Sequence, residues 1–270
     1  MKLQGDNRPI GIFDSGLGGL TVAAALIRRF PTENLLYLGD TARVPYGGKS
    51  VKSLLEFARQ DAAFLLAKNV KLVVAACNTV SAVAMPALQE ICGDTPFLGV
   101  IDSGVRAAVA SGARSVLVTG TRTTVGSGAY SDAIRKIAPG IRVDSVACPL
   151  LVPLAEEGIT DGRIVEDVLD LYFASYRENP PDAVLLGCTH YPLFRKAIEN
   201  YFSGQASVVD GGTASADAVA ALLQEHKLAA DPRQTGSQSY YVTDYPAGFH
   251  QLAERFLGRK IEHVSSAVLE

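Results

Sequence analysis

The chain has 270 residues, 48% of them hydrophobic and 20% charged, with 25 basic against 28 acidic side chains and a formal net charge of −3. This length supports one large α/β domain or two of ordinary size, each with its own core, while the near-balanced charge excludes a general pull toward nucleic acid or anionic lipid. No run reaches the 18 apolar residues of a membrane span, and the first residues, "MKLQGDNRPIGIFDSG", carry no apolar signal segment, so a cytoplasmic protein without membrane or nucleic-acid partners is expected, its four cysteines present as thiols.

In chain order, strands are expected at "PIGIFD" (9–14), "NLLYLGD" (34–40), "KLVVAAC" (71–77), "FLGVID" (97–102), "SVLVTG" (115–120), "IRVDSVAC" (141–148), "AVLLGC" (183–188) and "ASVVDGG" (206–212). Most are unbroken apolar runs, as strands covered on both faces require. Between them, the spacing predicts helices over 50–69, 161–178 and 215–226. Alternating strand and helix implies parallel βα units wound on both faces of a sheet.

Residues 10–102 and 115–212 read as two passes over one plan. Each opens with a strand and a small-residue loop ("FDSGLGG", then "VTGTRTTVGSG") and later reaches a strand end carrying Cys and two polar residues ("ACNTVSAVAMPAL", then "GCTHYPLFRKAI"). The expected architecture is therefore two similar doubly wound α/β domains with mainly parallel sheets, related by a pseudo-twofold, with the active site in the cleft between them. The first would comprise residues 1–102 with 213–270, the second 103–212, and the helix after Gly212 and the final segment "HQLAERFLGRKIE" would return to pack on the first half. Ligands of open parallel sheets bind beyond the carboxyl ends of the strands. Asp14, Asp40, Cys77, Asp102, Thr121, Cys148, Cys188 and Asp210 all fall at or just past such ends.

Several familiar motifs fail. "GLGGLT" places Thr21 where a dinucleotide loop needs its third glycine, and "GGKS" at 47–50 lacks the first glycine of a phosphate loop because residue 43 is Arg43. Cys188 and His190 have no recognised zinc spacing, and no C-x-x-C occurs. No cofactor and no metal are expected. "DSGLGG" reads better as a helix N-terminus whose N–H groups, with Ser15, hold a carboxylate.

Taken singly, the polar candidates have ordinary structural roles: Asp14 a helix cap, Tyr46 packing, His190 a satisfied histidine under a strand end, Glu156 and Glu157 an exposed face, and Cys92 and Cys148 small core residues. Burial is also the ordinary role of a lone strand-end cysteine. Cys77 and Cys188 differ because they recur at corresponding places, each before hydrogen-bonding side chains and a helix start, where the dipole favours a thiolate. One thiol with a base suggests a nucleophile. Two opposed thiols suggest that one removes a proton from carbon while the other delivers a proton from the opposite face, which inverts a stereocentre.

"GIFDSGLGGLTV", "LGDTARVPYGGKS", "AACNTVSA", "GVIDSG", "TGTRTT", "CPLLVPLAEEG", "LLGCTHYPL" and "VVDGGTASA" together resemble, from Ile10 to Ala216, the ordered motifs of the bacterial glutamate racemases, within the cofactor-independent amino-acid racemase superfamily. Val80 stands where alanine is commoner in that family. The resemblance implies two α/β domains clasping glutamate, with Cys77 taking the α-proton of D-glutamate and Cys188 that of L-glutamate. Asp14 would assist Cys77, and His190 with Glu156 would assist Cys188. Asp14, Ser15, Tyr46, Gly47, Asn78, Thr79, Thr121, Thr124, Thr189 and His190 would surround the substrate, with Asp40 behind them. It further implies D-glutamate supply for peptidoglycan, and it is compatible with a homodimer. Aspartate racemisation by the same chemistry, or a non-catalytic two-lobed amino-acid-binding protein, are the alternatives.

Overall fold

The computed structural model describes residues 5–245, 248–261 and 263–270. The first four residues of the N-terminal stretch, and Glu262 at the end of the expected last segment, lie outside the described residues. The strands are β1 (Ile10–Asp14), β2 (Leu35–Gly39), β3 (Leu72–Ala75), β4 (Phe97–Gly99), β5 (Ser115–Gly120), β6 (Arg142–Ala147), β7 (Ala183–Gly187), β8 (Ser207–Asp210), β9 (Gln238–Val242) and β10 (Ser265–Ser266). They form two sheets, β10-β9-β2-β1-β3-β4 and β6-β5-β7-β8, parallel throughout. The order β2-β1-β3-β4 reappears as β6-β5-β7-β8, so the sequence repeat is a repeat of topology. Cys77 follows β3 and Cys188 follows its counterpart β7.

The central strands are apolar on both faces for the reason the pattern implied. β1, β2, β3 and β7 are buried along their whole length because helices cover both sides of their sheets. The core side chains include Ile10, Ile12, Phe13, Leu72, Val74, Leu117, Val184 and Leu186. Truncating such a buried leucine or isoleucine to alanine costs about 2–5 kcal/mol.

The structure departs from expectation at three places. The fourth strand stops at Gly99, and "VID" opens the helix Val100–Ala110. Val100, Ile101, Val105 and Ala108 bury one helical face there, so the 3.6-residue period overrides the β-branched run. Asp102 consequently sits exposed in a helix, lining a separate groove with Arg106 and Asp217. The eighth strand also ends early, at Asp210, whose carboxylate accepts the amide of Thr213 and caps a helix running Gly211–Glu225. Lastly, β9 and β10 extend the first sheet beyond β2. The C-terminal segment does return to the first half: helices Gly211–Glu225 and Phe249–Leu257 both pack on Leu20–Arg29. Among the described residues no helix is long and apolar enough to cross a membrane.

Candidate active site

The carboxyl ends of β1, β3, β5 and β7 meet around a cavity of about 190 Å³. Ser15, Tyr46, Gly47, Cys77, Asn78, Thr79, Thr121, Cys188, Thr189 and His190 line it, all expected from the sequence. Val44, Pro45, Gly48, Arg122, Pro149, Val152 and Pro153 also line it and were not singled out. A larger groove of about 620 Å³ beside helix Val100–Ala110 contains no thiol and no histidine. Asp14, Asp40, Thr124 and Glu156 are not on the cavity wall; each lies behind a residue that is.

Asp14 ends β1 fully buried, and its Oδ2 accepts the amides of Gly16 at 3.1 Å and Gly19 at 3.0 Å. Burial raises its carboxyl above the ordinary value, opposed by the charge of His190 and by the Gly19, Gly16 and Ser15 amides. Its Oδ1 is buried with no hydrogen-bond partner. Glycine is required at position 19, where a Cβ would lie 2.4 Å from that of Asp14.

Cys77 occupies the N-cap position of the short helix Asn78–Val83. Its thiol is pushed up to about 12, first by burial and then by the charge of Asp14, against the lowering effects of the Val80 amide and the Ser15 hydroxyl. The helix amide favours the anion, as a position before a helix start implies, but desolvation outweighs it. Cys188 has a different setting. It is followed by a 3-10 turn, Tyr191–Phe194, and the helix proper starts only at Arg195, so its nearby polar partner is the His190 Nδ1, 3.8 Å from Sγ.

His190 is buried, and its Nε2 lies 3.3 Å from Glu156 Oε1. Burial alone would lower its pKa; hydrogen bonds to Cys188 and Glu156 and the charges of Cys188 and Asp14 outweigh it and raise the ring to about 10. Glu157 caps the end of its helix and is exposed, so Glu156 is the glutamate of the pair that reaches the histidine. Phe256, from the C-terminal helix, packs edge-on against the imidazole with centroids 5.1 Å apart.

The hydroxyls of Thr79, Thr121 and Thr124 form a triangle with sides of 3.0, 3.0 and 3.4 Å, and Thr121 also accepts the Thr124 amide as the N-cap of Arg122–Gly126. The Tyr130 hydroxyl donates to Asn78 Oδ1 at 2.6 Å, leaving the asparagine amide hydrogens free for the cavity. Asp40 is buried under Tyr46 and accepts its hydroxyl. Two further bonds join the two halves of the chain beside the cavity, from the Thr21 hydroxyl to the Thr189 carbonyl at 3.3 Å and from the Thr123 hydroxyl to the Gly47 carbonyl at 3.1 Å. Tyr130 and Phe256 escaped the sequence reading because each reaches the site from a distant segment without a motif of its own, whereas Thr21 and Thr123 lie inside the quoted "GLGGLT" and "TGTRTT". Arg122 lay inside the quoted "TRTT", and its lone charge among small polar residues was the available signal.

The arrangement offers two thiols on one enclosed space, each backed by an ionisable pair-mate, amid neutral hydrogen-bond donors. Among the described residues, no group of three or more His, Cys, Asp or Glu side chains is placed to hold a metal ion. In the glycine loop after β1, a Cβ at Gly16 would meet Val44, and one at Gly18 would meet Thr189 and His190.

Residues 40–219 match the Asp/Glu/Hydantoin racemase family. The chain is 47% identical over 262 residues to the glutamate racemase of Syntrophus aciditrophicus, covering 97% of each, and 43% identical over 264 residues to that of Geobacter metallireducens, again covering 97% of each. Its fold matches the crystal structure of the Francisella tularensis glutamate racemase in complex with D-glutamate with a TM-score of 0.91 at 38% identity, covering 97% of this chain and 98% of that one. With relatives spanning nearly its whole length and the duplicated βα plan shared with them, the chain belongs to the Asp/Glu/Hydantoin racemase family and is an isomerase of that family.

Proposed function

We propose that this protein is a glutamate racemase that interconverts L- and D-glutamate by a cofactor-independent, two-thiol mechanism. The observation that carries this reading is the pair Cys77 and Cys188, delivered by equivalent strand ends to one cavity. Full-length relatives named glutamate racemase supply the substrate.

In the L-to-D direction, Cys188 as thiolate takes the α-proton, the electron pair stays on Cα, and the Cys77 thiol delivers its proton to the opposite face. The protein ends with the proton on Cys188 and the negative charge on Cys77, and the reverse direction runs the same steps backwards. Cys77, held protonated by burial, suits the acid role in the first direction. His190, charged and tied to Glu156, stabilises a thiolate on Cys188. Beyond burial, the charge of Asp14 raises the Cys77 thiol, which strengthens Cys77 as the base for the D-to-L direction. The carbanion is stabilised by fixed neutral donors and by the substrate's own ammonium. Ser15, Asn78, Thr79, Thr121 and Thr189 are the donors on the wall, and Tyr46 and Gly47 form the rim that fixes the carboxylate geometry. Thr124 contributes through the Thr121 hydroxyl, and Asp40 through Tyr46.

The product serves as D-glutamate for peptidoglycan in this reading, and the reaction takes place in the cytoplasm. The test is incubation of purified protein with enantiopure L-glutamate in D₂O, following optical rotation and Cα deuteration. Loss of rotation, with deuterium appearing first in the D-product, is expected. Rotation that stays constant, or racemisation of aspartate alone, would refute it.

A further inference from the structure

Asp61 is an acidic side chain on the inner face of the helix Val51–Ala67, where its buried neighbours are Leu54, Ala58, Ala62 and Leu65. It is fully buried. Its Oδ2 lies 3.1 Å from the Tyr46 hydroxyl and its Oδ1 lies 3.4 Å from Arg43 Nη2. The same Tyr46 hydroxyl is bonded to Asp40 Oδ2, which also accepts from Arg43 Nε, while Asp40 Oδ1 accepts the Thr243 hydroxyl at 2.9 Å. Two carboxyl groups therefore share one phenol and one guanidinium.

The hydrogens do not suffice if both carboxyls are ionised. A phenol has one hydrogen, and an ionised carboxylate only accepts. Burial and the two nearby aspartates push the Tyr46 phenol up, so it keeps that hydrogen. With both aspartates charged, one of them would face a phenol lone pair at hydrogen-bond distance, and a second negative charge would lie buried with a single cation to balance it. Asp40 receives three donors, from Arg43, Tyr46 and Thr243, whereas with the phenol hydrogen on Asp40 the Asp61 carboxyl has, among the described residues, only the long contact from Arg43.

We infer that Asp61 is a positioning residue that stays protonated and donates to the Tyr46 oxygen, completing an Asp61 to Tyr46 to Asp40 relay that holds the Val44–Gly48 wall of the cavity. Burial and the charge of Asp40, opposed by Arg43, raise the Asp61 carboxyl well above its ordinary value, in agreement with that count. The relay also ties the wall to the C-terminal part of the chain: Thr243 stands just past β9, and its hydroxyl accepts the Ala42 amide at 2.9 Å. The Arg43 guanidinium lies over the Phe57 ring at 4.1 Å, which fixes it at its post. Tyr46 is thus held from below by a neutral donor, and Tyr46 and Gly47 both line the substrate space. The inference rests on the racemase reading for its kinetic consequence, while the place of the proton does not.

The test uses the full-length protein and the variants Asp61→Asn and Asp61→Ala. The amide of asparagine is neutral and can donate to the phenol, so Asp61→Asn should keep KM and kcat within about threefold of wild type. Asp61→Ala removes the donor and should raise KM by about five- to tenfold with a smaller fall in kcat. Infrared spectra at neutral pH should show the carbonyl stretch of a protonated carboxyl in the wild type, absent from Asp61→Asn. The inference is overturned if Asp61→Asn is as impaired as Asp61→Ala, if both match the wild type, or if no such band is lost. Should Asp61→Ala not fold, the infrared comparison and the Asp61→Asn kinetics still decide. A wild type without racemase activity would refute the functional reading instead, and the infrared band would still locate the proton.

Discussion

Gly18 lies so close to His190 that a methyl group on it would come within 2.6 Å of the ring Nδ1, and within 2.3 Å of the Thr189 hydroxyl. The loop after β1 and the loop after β7 therefore meet at a point where only hydrogen fits. Gly18→Ala should push the Thr189–His190 wall away from the cavity. Inserting a methyl into such a contact costs about 1–3 kcal/mol of stability, but a displacement of about 1 Å at a reacting centre costs roughly 10²-fold in rate. We expect kcat/KM for glutamate to fall at least that far while the protein stays folded. Gly140→Ala, where a Cβ meets nothing within 4 Å, is the matched control and should be close to silent.

The paired thiols predict a reciprocal pattern. Cys77→Ser and Cys188→Ser should each reduce racemisation by at least about 10²-fold, because inversion needs a proton acid on one face and a base on the other. Each variant nevertheless keeps one working face. With a glutamate analogue carrying a β leaving group, removal of the α-proton and departure of the leaving group need a single base. Cys77→Ser should then eliminate from the L-enantiomer and Cys188→Ser from the D-enantiomer. Elimination from the same enantiomer in both variants would rule out opposed thiols.

Stability should fall on the alkaline side. The folded His190 holds its proton up to about 10, against an ordinary value of 6.5. Its contribution is fully present below about 6.5 and is lost as pH rises through 10, because the unfolded chain has released that proton over the interval while the folded one has not. Cys77, raised from 9.0 to about 12, extends the loss above pH 9. Thermal midpoints measured from pH 6.5 to 10 should decline steadily, and His190→Gln should flatten that decline. A flat wild-type profile would show that His190 titrates near its ordinary value.

What could be read before the structure follows a physical line between local and distant encoding. The eight core strands and both cysteines were legible because an unbroken apolar run and a strand-end polar cluster are local patterns, and the two passes reinforced each other. β9 was not, since "QSYYV" mixes polar and aromatic residues over five positions, and β10 is only two residues long. Phe256 against His190, and Tyr130 under Asn78, come together across 66 and 52 positions of chain, and no spacing rule encodes such contacts. The protonation of Cys77 was not legible for a related reason. A helix start is visible in sequence, whereas the burial that outweighs it arises only once both halves have closed. Asp102 shows the limit of β-branched runs as strand signals, because Val100 and Ile101 before it serve the buried face of a helix and leave Asp102 exposed.

Discrimination between glutamate and aspartate rests on where the far carboxylate lands. Both substrates carry the same charges, so net attraction cannot separate them. The cavity is small, about 190 Å³, and its polar donors are fixed by packing: Thr189 is buried with its hydroxyl 3.5 Å from His190 Nδ1 and its carbonyl engaged by Thr21, and Thr121 is locked in the threonine triangle. A chain one methylene shorter must leave the distal donors unpaired or draw Cα off the line between the two sulfurs. Each unpaired buried donor costs about 1–3 kcal/mol, and the misplacement of Cα costs roughly 10²-fold per 1 Å. We therefore expect kcat/KM for glutamate to exceed that for aspartate by at least about 10²-fold. Thr189→Val, which keeps the shape and removes the hydroxyl, should lower glutamate turnover about 10-fold or more while shifting the thermal midpoint little. Measured rates on both amino acids decide it: comparable values, or a preference for aspartate, would assign the shorter substrate to this cavity, and an unchanged Thr189→Val would move the distal carboxylate site elsewhere on its wall.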